Sequence, residues 1–122
     1  MKTLAFLVQL PFSWRQHKVR ARRNDMTRER FVAALATNDA EELAAGILWD
    51  KLAEVAVIPD FRPDPDDDFL YLYGLADEDL DEDIILEILT SLGLKPPSPF
   101  ELQRVGRISS PRDFVKLVKL AS

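Results

Sequence analysis

A chain of 122 residues, 47% apolar and 30% charged, has room for one domain and the side chains to build a core, which excludes wholesale disorder. The absence of cysteine excludes disulfides, zinc–thiolate sites and cysteine nucleophiles, and the single histidine, His17, argues against a His-based metal site within one chain. The net charge of −5 is divided, residues 1–33 carrying eight Lys/Arg against two acids (+6) and the remainder eight against nineteen (−11), so only the N-terminal stretch has the sign to attract nucleic acid.

The chain opens with "MKTLAFLVQLPF", a short apolar run broken by Gln9 and Pro11 and followed by "WRQHKVRARR" without a small-residue cleavage site. Residues 1–25 are therefore expected to be a basic extension, either a peripheral helix or strand or a poorly ordered tail, rather than a signal peptide. Met26 is an alternative start. A single domain is expected over 26–122. No window approaches the ~20 apolar residues of a membrane span, and a cytoplasmic monomer is expected. Trp14 among arginines suggests nucleic-acid binding, but a solvated basic extension is the preferred reading, and nucleic acid is not an expected partner.

From Asp25 onward helices alternate with proline-rich connections. "MTRERFVAALAT" sets Phe31, Ala34 and Leu35 on one side of a short amphipathic helix. "NDAEELAAGILWDKLAEVAV" opens with Asn38 and Glu41 in the N-cap and N3 relation of a capping box. Leu43, Ile47, Leu48, Leu52 and Val55 supply its buried stripe, with Trp49 packing beside it. Pro59, Pro63 and Pro65 end that helix and forbid another across "PDFRPDPDDD". Phe61, Phe69, Leu70, Leu72 and Tyr73 are expected to anchor this long loop.

The next helix is expected to begin around Asp77–Asp79, to bury Leu80, Ile84, Ile85, Ile88, Leu89 and Leu92, and to stop at Gly93. "FELQRV" reads as a helical turn at most. Ser110 then caps a last helix with Pro111 at its first position, Phe114, Val115 and Val118 inward, and Lys116 and Lys119 toward its C-terminal end. The sum is a small all-α bundle.

Eleven carboxylates lie between Asp60 and Asp83, densest in "GLADEDLDED". Asp77, Asp79 and Asp81 match the first ligand positions of an EF-hand, but Glu82 stands where that loop needs Gly and Ile88 where it needs a bidentate Glu. Acid–base catalysis needs carboxylates in opposed environments with partners at motif spacing, and neither is visible. Capping explains two or three of the acids. The rest suit a solvated face or, more pointedly, a docking surface.

From about Glu42 to Leu120 the order of elements resembles the acyl carrier protein family: a long first helix, a long loop, an acidic second helix begun by D-S-L-[DE], a short third helix and a final one. "GLADEDLDEDIILEIL" looks like that family's attachment loop and second helix, with Leu80 at the motif leucine and Asp81 at the acid after it. "SLGLKPP" looks like its turn out of the second helix, and "GRISSPRDFVKLV" is similar to its approach to the last. The resemblance implies an acyl carrier protein-like four-helix bundle with an additional N-terminal helix or extension. At the position of the serine that takes phosphopantetheine stands Asp79, which has no hydroxyl to form the phosphodiester. Ser91 and Ser98 lie too far along the chain, and Ser109 and Ser110 belong to the last cap. A group of small bacterial carrier-like proteins of unknown function, with an acidic pair in place of the serine, also looks similar.

The expected function is thus a non-catalytic, carrier-like interaction module without prosthetic arm, cofactor or metal. Asp77, Glu78, Asp79, Asp81 and Glu82 would meet the basic surface of a synthase-like enzyme or a toxin. The alternatives are an acidic inhibitor or immunity-type protein and a genuine acyl or peptidyl carrier modified at an unusual site.

Overall fold

The computed structural model describes residues 2–23, 25–76, 84–95 and 98–121, and every regular element among them is helical. In chain order these are α1 (Lys2–Arg20), α2 (Arg28–Leu35), α3 (Asp39–Val55), α4 (Phe69–Tyr73), α5 (Leu86–Ser91), α6 (Pro99–Val105) and α7 (Pro111–Ala121). The all-α class follows from the sequence as expected. No described helix is long and apolar enough to cross a membrane.

Local chemistry accounts for most helix ends. Thr27 caps α2, its hydroxyl accepting the Arg30 amide at 3.1 Å. Asn38 caps α3 by accepting the Glu41 amide at 2.9 Å. Glu41 is buried, and its carboxylate answers not the Asn38 backbone but the Asn38 carboxamide and, at 3.1 Å, the Thr37 hydroxyl. Gly93, at φ 70°, closes α5 in a Schellman turn, with Leu94 N–H donating to Leu89 C=O at 2.9 Å and Gly93 N–H to Thr90 C=O at 3.0 Å. Ser110 caps α7 by accepting the Asp113 amide at 3.3 Å, and the Asp113 carboxylate reaches back to the amide and hydroxyl of Ser109.

Helix α3 is the centre, packing on α2, α5 and α7, while α1 packs on α4 and α6 on α7. The core joins Phe31, Leu48, Leu52, Phe61, Phe69, Ile88, Leu89, Phe114 and Leu117, all nearly or fully buried. Each such large side chain contributes on the order of 2 kcal/mol of transfer free energy. Trp49 packs edge-on against Phe31 with ring centroids 5.3 Å apart, a packing role as its place beside the stripe suggests.

Four sequence expectations are corrected. The buried stripe of α3 is Glu41, Ala44, Ala45, Leu48 and Leu52; Leu43 is 60% exposed and Val55 39% exposed. Ala44, Ala45 and Gly46 are all buried, their small side chains permitting a close approach of neighbouring elements, and the Arg28 side chain lies across Gly46. In α2, Ala34 is exposed beside buried Phe31 and Leu35. The segment read as continuous loop contains α4, whose Asp68 cap accepts the Tyr71 amide at 2.8 Å and whose Gly74 terminates it at φ 72°; within α4 Leu70 is exposed instead of anchoring. "FELQRV" lies within α6, more than a turn, started by Pro99.

Candidate functional site

The residues expected to meet a partner, Asp77, Glu78, Asp79, Asp81 and Glu82, lie outside the described residues. Their surroundings are described on both sides. Upstream, Gly74 closes α4, and an added Cβ there would come within 3.0 Å of the Phe12 ring of α1. Downstream, Ile84, Ile85, Ile88 and Leu89 are all buried, so the apolar side of this segment is committed to the core. Glu87, on the exposed side of α5, reaches Lys51 of α3 at 2.7 Å.

The acids just upstream of α4 have internal partners. Asp64 accepts the Asp66 amide at 3.0 Å, and Asp68 caps α4. Asp66 accepts from the Arg112 guanidinium at 2.8 Å, and this hydrogen bond holds its carboxyl below the usual carboxylate range. Asp67 is buried and takes both guanidinium arms of Arg23, the Asp64 amide at 2.9 Å and the Tyr73 hydroxyl at 2.8 Å. Burial pushes the Asp67 carboxyl up, against the pull of Arg23 and its other donors. Burial, reinforced by the Asp67 charge, raises the Tyr73 phenol well above its ordinary value. For Arg23, burial works against the charged form, but the Asp67 contact prevails and the guanidinium is held charged. Four of the eleven acids are therefore structural. Proline spacing and the clustering of Asp beside aromatic residues were the signals available for this. The long-range partners Arg23 and Arg112 left none.

The basic stretch is just as occupied. Arg15 donates to the Tyr71 carbonyl at 2.9 Å and stacks over the Tyr71 ring, 4.1 Å from its centroid. Arg20 donates to the Pro59 carbonyl at 3.1 Å and Arg23 to that of Arg62 at 3.1 Å. Gln16 is fully buried: its Nε2 donates to the Leu72 carbonyl at 2.9 Å, and its Oε1 accepts from the Val57 and Ile58 amides. Gln16 was not singled out from the sequence, where a lone glutamine between basic residues gives no sign of burial.

Chemistry elsewhere is sparse. Among the described residues no group of three or more His, Cys, Asp or Glu is placed to hold a metal ion. A groove of about 640 Å³ between α2 and α3 mixes Leu43 and Ile47 with Arg28, Glu29, Asp39 and Glu42. The Ser109 and Ser110 hydroxyls serve the α7 cap, and the Ser91 hydroxyl donates to the Glu87 carbonyl at 2.8 Å. No family model, curated protein or solved structure matches the chain.

Proposed function

We propose that the chain is a non-catalytic, acyl-carrier-like interaction module that offers the acidic stretch around Asp77–Glu82 to a basic protein surface, without a phosphopantetheine arm. One observation carries this reading. The carboxylates of Asp64 to Asp68 have internal partners, and the apolar residues after Asp83 are buried. The intervening stretch, residues 77–83, carries six carboxylates in seven positions, the densest run of charge in the chain. Carrier-like order of helices, and Asp79 at the place of the modifiable serine, favour a docking module over a carrier.

Charge complementarity of this kind acts mainly on association rate and selectivity, and it weakens with salt because exposed charges are screened within ~8 Å at physiological ionic strength. Capture of a partner from a lysate of the native cells on immobilised full-length chain is expected to fall steeply with added salt. It is expected to be lost in the Asp77→Asn, Asp79→Asn, Asp81→Asn triple variant. Capture indifferent to salt, or unchanged in the triple variant, overturns the proposal. A mass gain after incubation with coenzyme A and a phosphopantetheinyl transferase overturns its armless part.

A further inference from the structure

The second half of helix α1, residues 11–20, is attached mainly through polar groups: none of its side chains belongs to the buried apolar core, and Val19 packs against the outside of that core. Its polar contacts are made by the ends of long side chains: Arg15, Gln16 and Arg20, with Arg23 just beyond the helix, reach the backbone of residues 57–62 and of α4. The seat is not close-packed throughout. A groove of about 450 Å³ lies among His17, Arg20, Ala21, Asp60 and Arg62. At its other end Phe12 rests against Gly74. Gly74 stands three residues before Asp77 in the sequence, so this contact adjoins the acidic stretch along the chain.

We propose that the face formed by Val57–Arg62 and α4 is a receptor for a basic helix, that α1 is its occupant in cis, and that a basic partner helix competes with α1 for it. The partner's source is the basic surface inferred above, so the inference rests on that reading and deepens it. The receptor's chemistry defines what fits. The carbonyls of Pro59, Arg62, Tyr71 and Leu72 accept from guanidinium and carboxamide groups, the Tyr71 ring takes a stacked guanidinium, and the Asp67 carboxylate takes a bidentate arginine. A helix carrying arginines spaced as Arg15, Arg20 and Arg23 are, with a glutamine next to the first, satisfies all of them. Bound in cis, α1 holds the module closed to weak basic partners and yields only to a helix that satisfies the same acceptors.

The test uses the full chain and a fluorescent peptide of residues 12–23, with a scrambled peptide of equal charge as control. The wild type is expected to bind the peptide weakly. The Arg15→Ala, Arg20→Ala double variant, whose lost contacts are both at the exposed rim, is expected to bind it at least tenfold more tightly, and the scramble at least tenfold less tightly than the native order. Hydrogen exchange is expected to quicken in α1 of that variant while α2 and α3 keep wild-type protection. Should the double variant lose protection throughout, Arg20→Ala alone serves the same comparison. Equal peptide affinity in wild type and variant overturns the inference, as does equal affinity for native and scrambled peptides. Salt-sensitive partner capture of equal strength in wild type and double variant overturns the cover while sparing the docking proposal. Sequence-specific peptide binding in a protein that shows no salt-sensitive partner does the reverse.

Discussion

Arg23 and Asp67 meet as a forked pair, one guanidinium nitrogen 2.8 Å from a carboxylate oxygen, across 44 residues of chain. The carboxylate is buried while the guanidinium is only partly so, and the Tyr73 hydroxyl and Asp64 amide fill the remaining acceptor positions. Replacing Asp67 with Ala leaves the Arg23 charge half-buried and the Tyr73 hydroxyl without its acceptor. A loss of about 3 kcal/mol is expected in urea unfolding, as for breaking one side of a buried pair.

The same carboxyl sets a pH dependence of definite sign. Its folded pKa lies above the ordinary aspartate value, so the fold binds this proton more readily than the unfolded chain does. Asp67 therefore contributes most at acid pH, and its contribution declines as pH rises from the ordinary aspartate range through the raised value. The stability difference between wild type and Asp67→Asn is expected to shrink over that rise and then level off. A difference that widens with pH would show the carboxylate, not the acid, to be the form the fold favours.

Gln16 satisfies two amides and one carbonyl with one side chain. Gln16→Ala strands all three in a buried place, and each unsatisfied group costs roughly 1–3 kcal/mol. A destabilisation of at least ~2 kcal/mol is expected by chemical unfolding. A value within ~0.5 kcal/mol of wild type would mean that water replaces the carboxamide.

Gly74 and Gly93 separate backbone strain from crowding. Both have positive φ, but an added Cβ meets the Phe12 ring at Gly74 and nothing within 4 Å at Gly93. Gly93→Ala is expected to cost about 1 kcal/mol from the left-handed conformation alone, and Gly74→Ala clearly more. Thermal unfolding of the two variants side by side checks the order.

At Asn38 the usual ranking of caps is expected to invert. Aspartate ordinarily caps as well as asparagine, yet here the carboxamide also donates to the buried Glu41 carboxylate. Asn38→Asp places like charges together, so its Tm at pH 7 is expected to fall below that of Asn38→Ala.

These residues also mark what could be read from the sequence. Helical periodicity and the Asn38, Ser110, Pro111 and Gly93 signals are local chemistry, and they located α2, α3, α7 and the end of α5. The Ile84–Leu89 face was legible for the same reason. Misreadings arose where distant partners decide. Leu43 has the periodicity of a core residue, but Ala44 and Ala45 are buried in place of Leu43 and Val55, so the inward face of α3, which keeps Leu48 and Leu52, is turned by roughly 50°. Asp64 to Asp68 look like a solvated run because nothing local reveals Arg23 and Arg112. The proline rule correctly excluded a helix before Asp68, but it could not see that the chain is free to make one turn once past it.

The segment from Val57 to Tyr73 is gripped from both ends of the chain: Gln16 binds it across 41 and 56 residues, and the Ser109 carbonyl accepts the Phe69 amide at 2.8 Å. Such contacts require large loops to close before they return anything, whereas α2 and α3 are sequence neighbours and can pair early. Residues 57–73, which bring Phe61, Phe69 and Tyr73 into the core, are thus expected to order after the α2–α3 pair, so that completing the core waits on contacts made from distant parts of the chain.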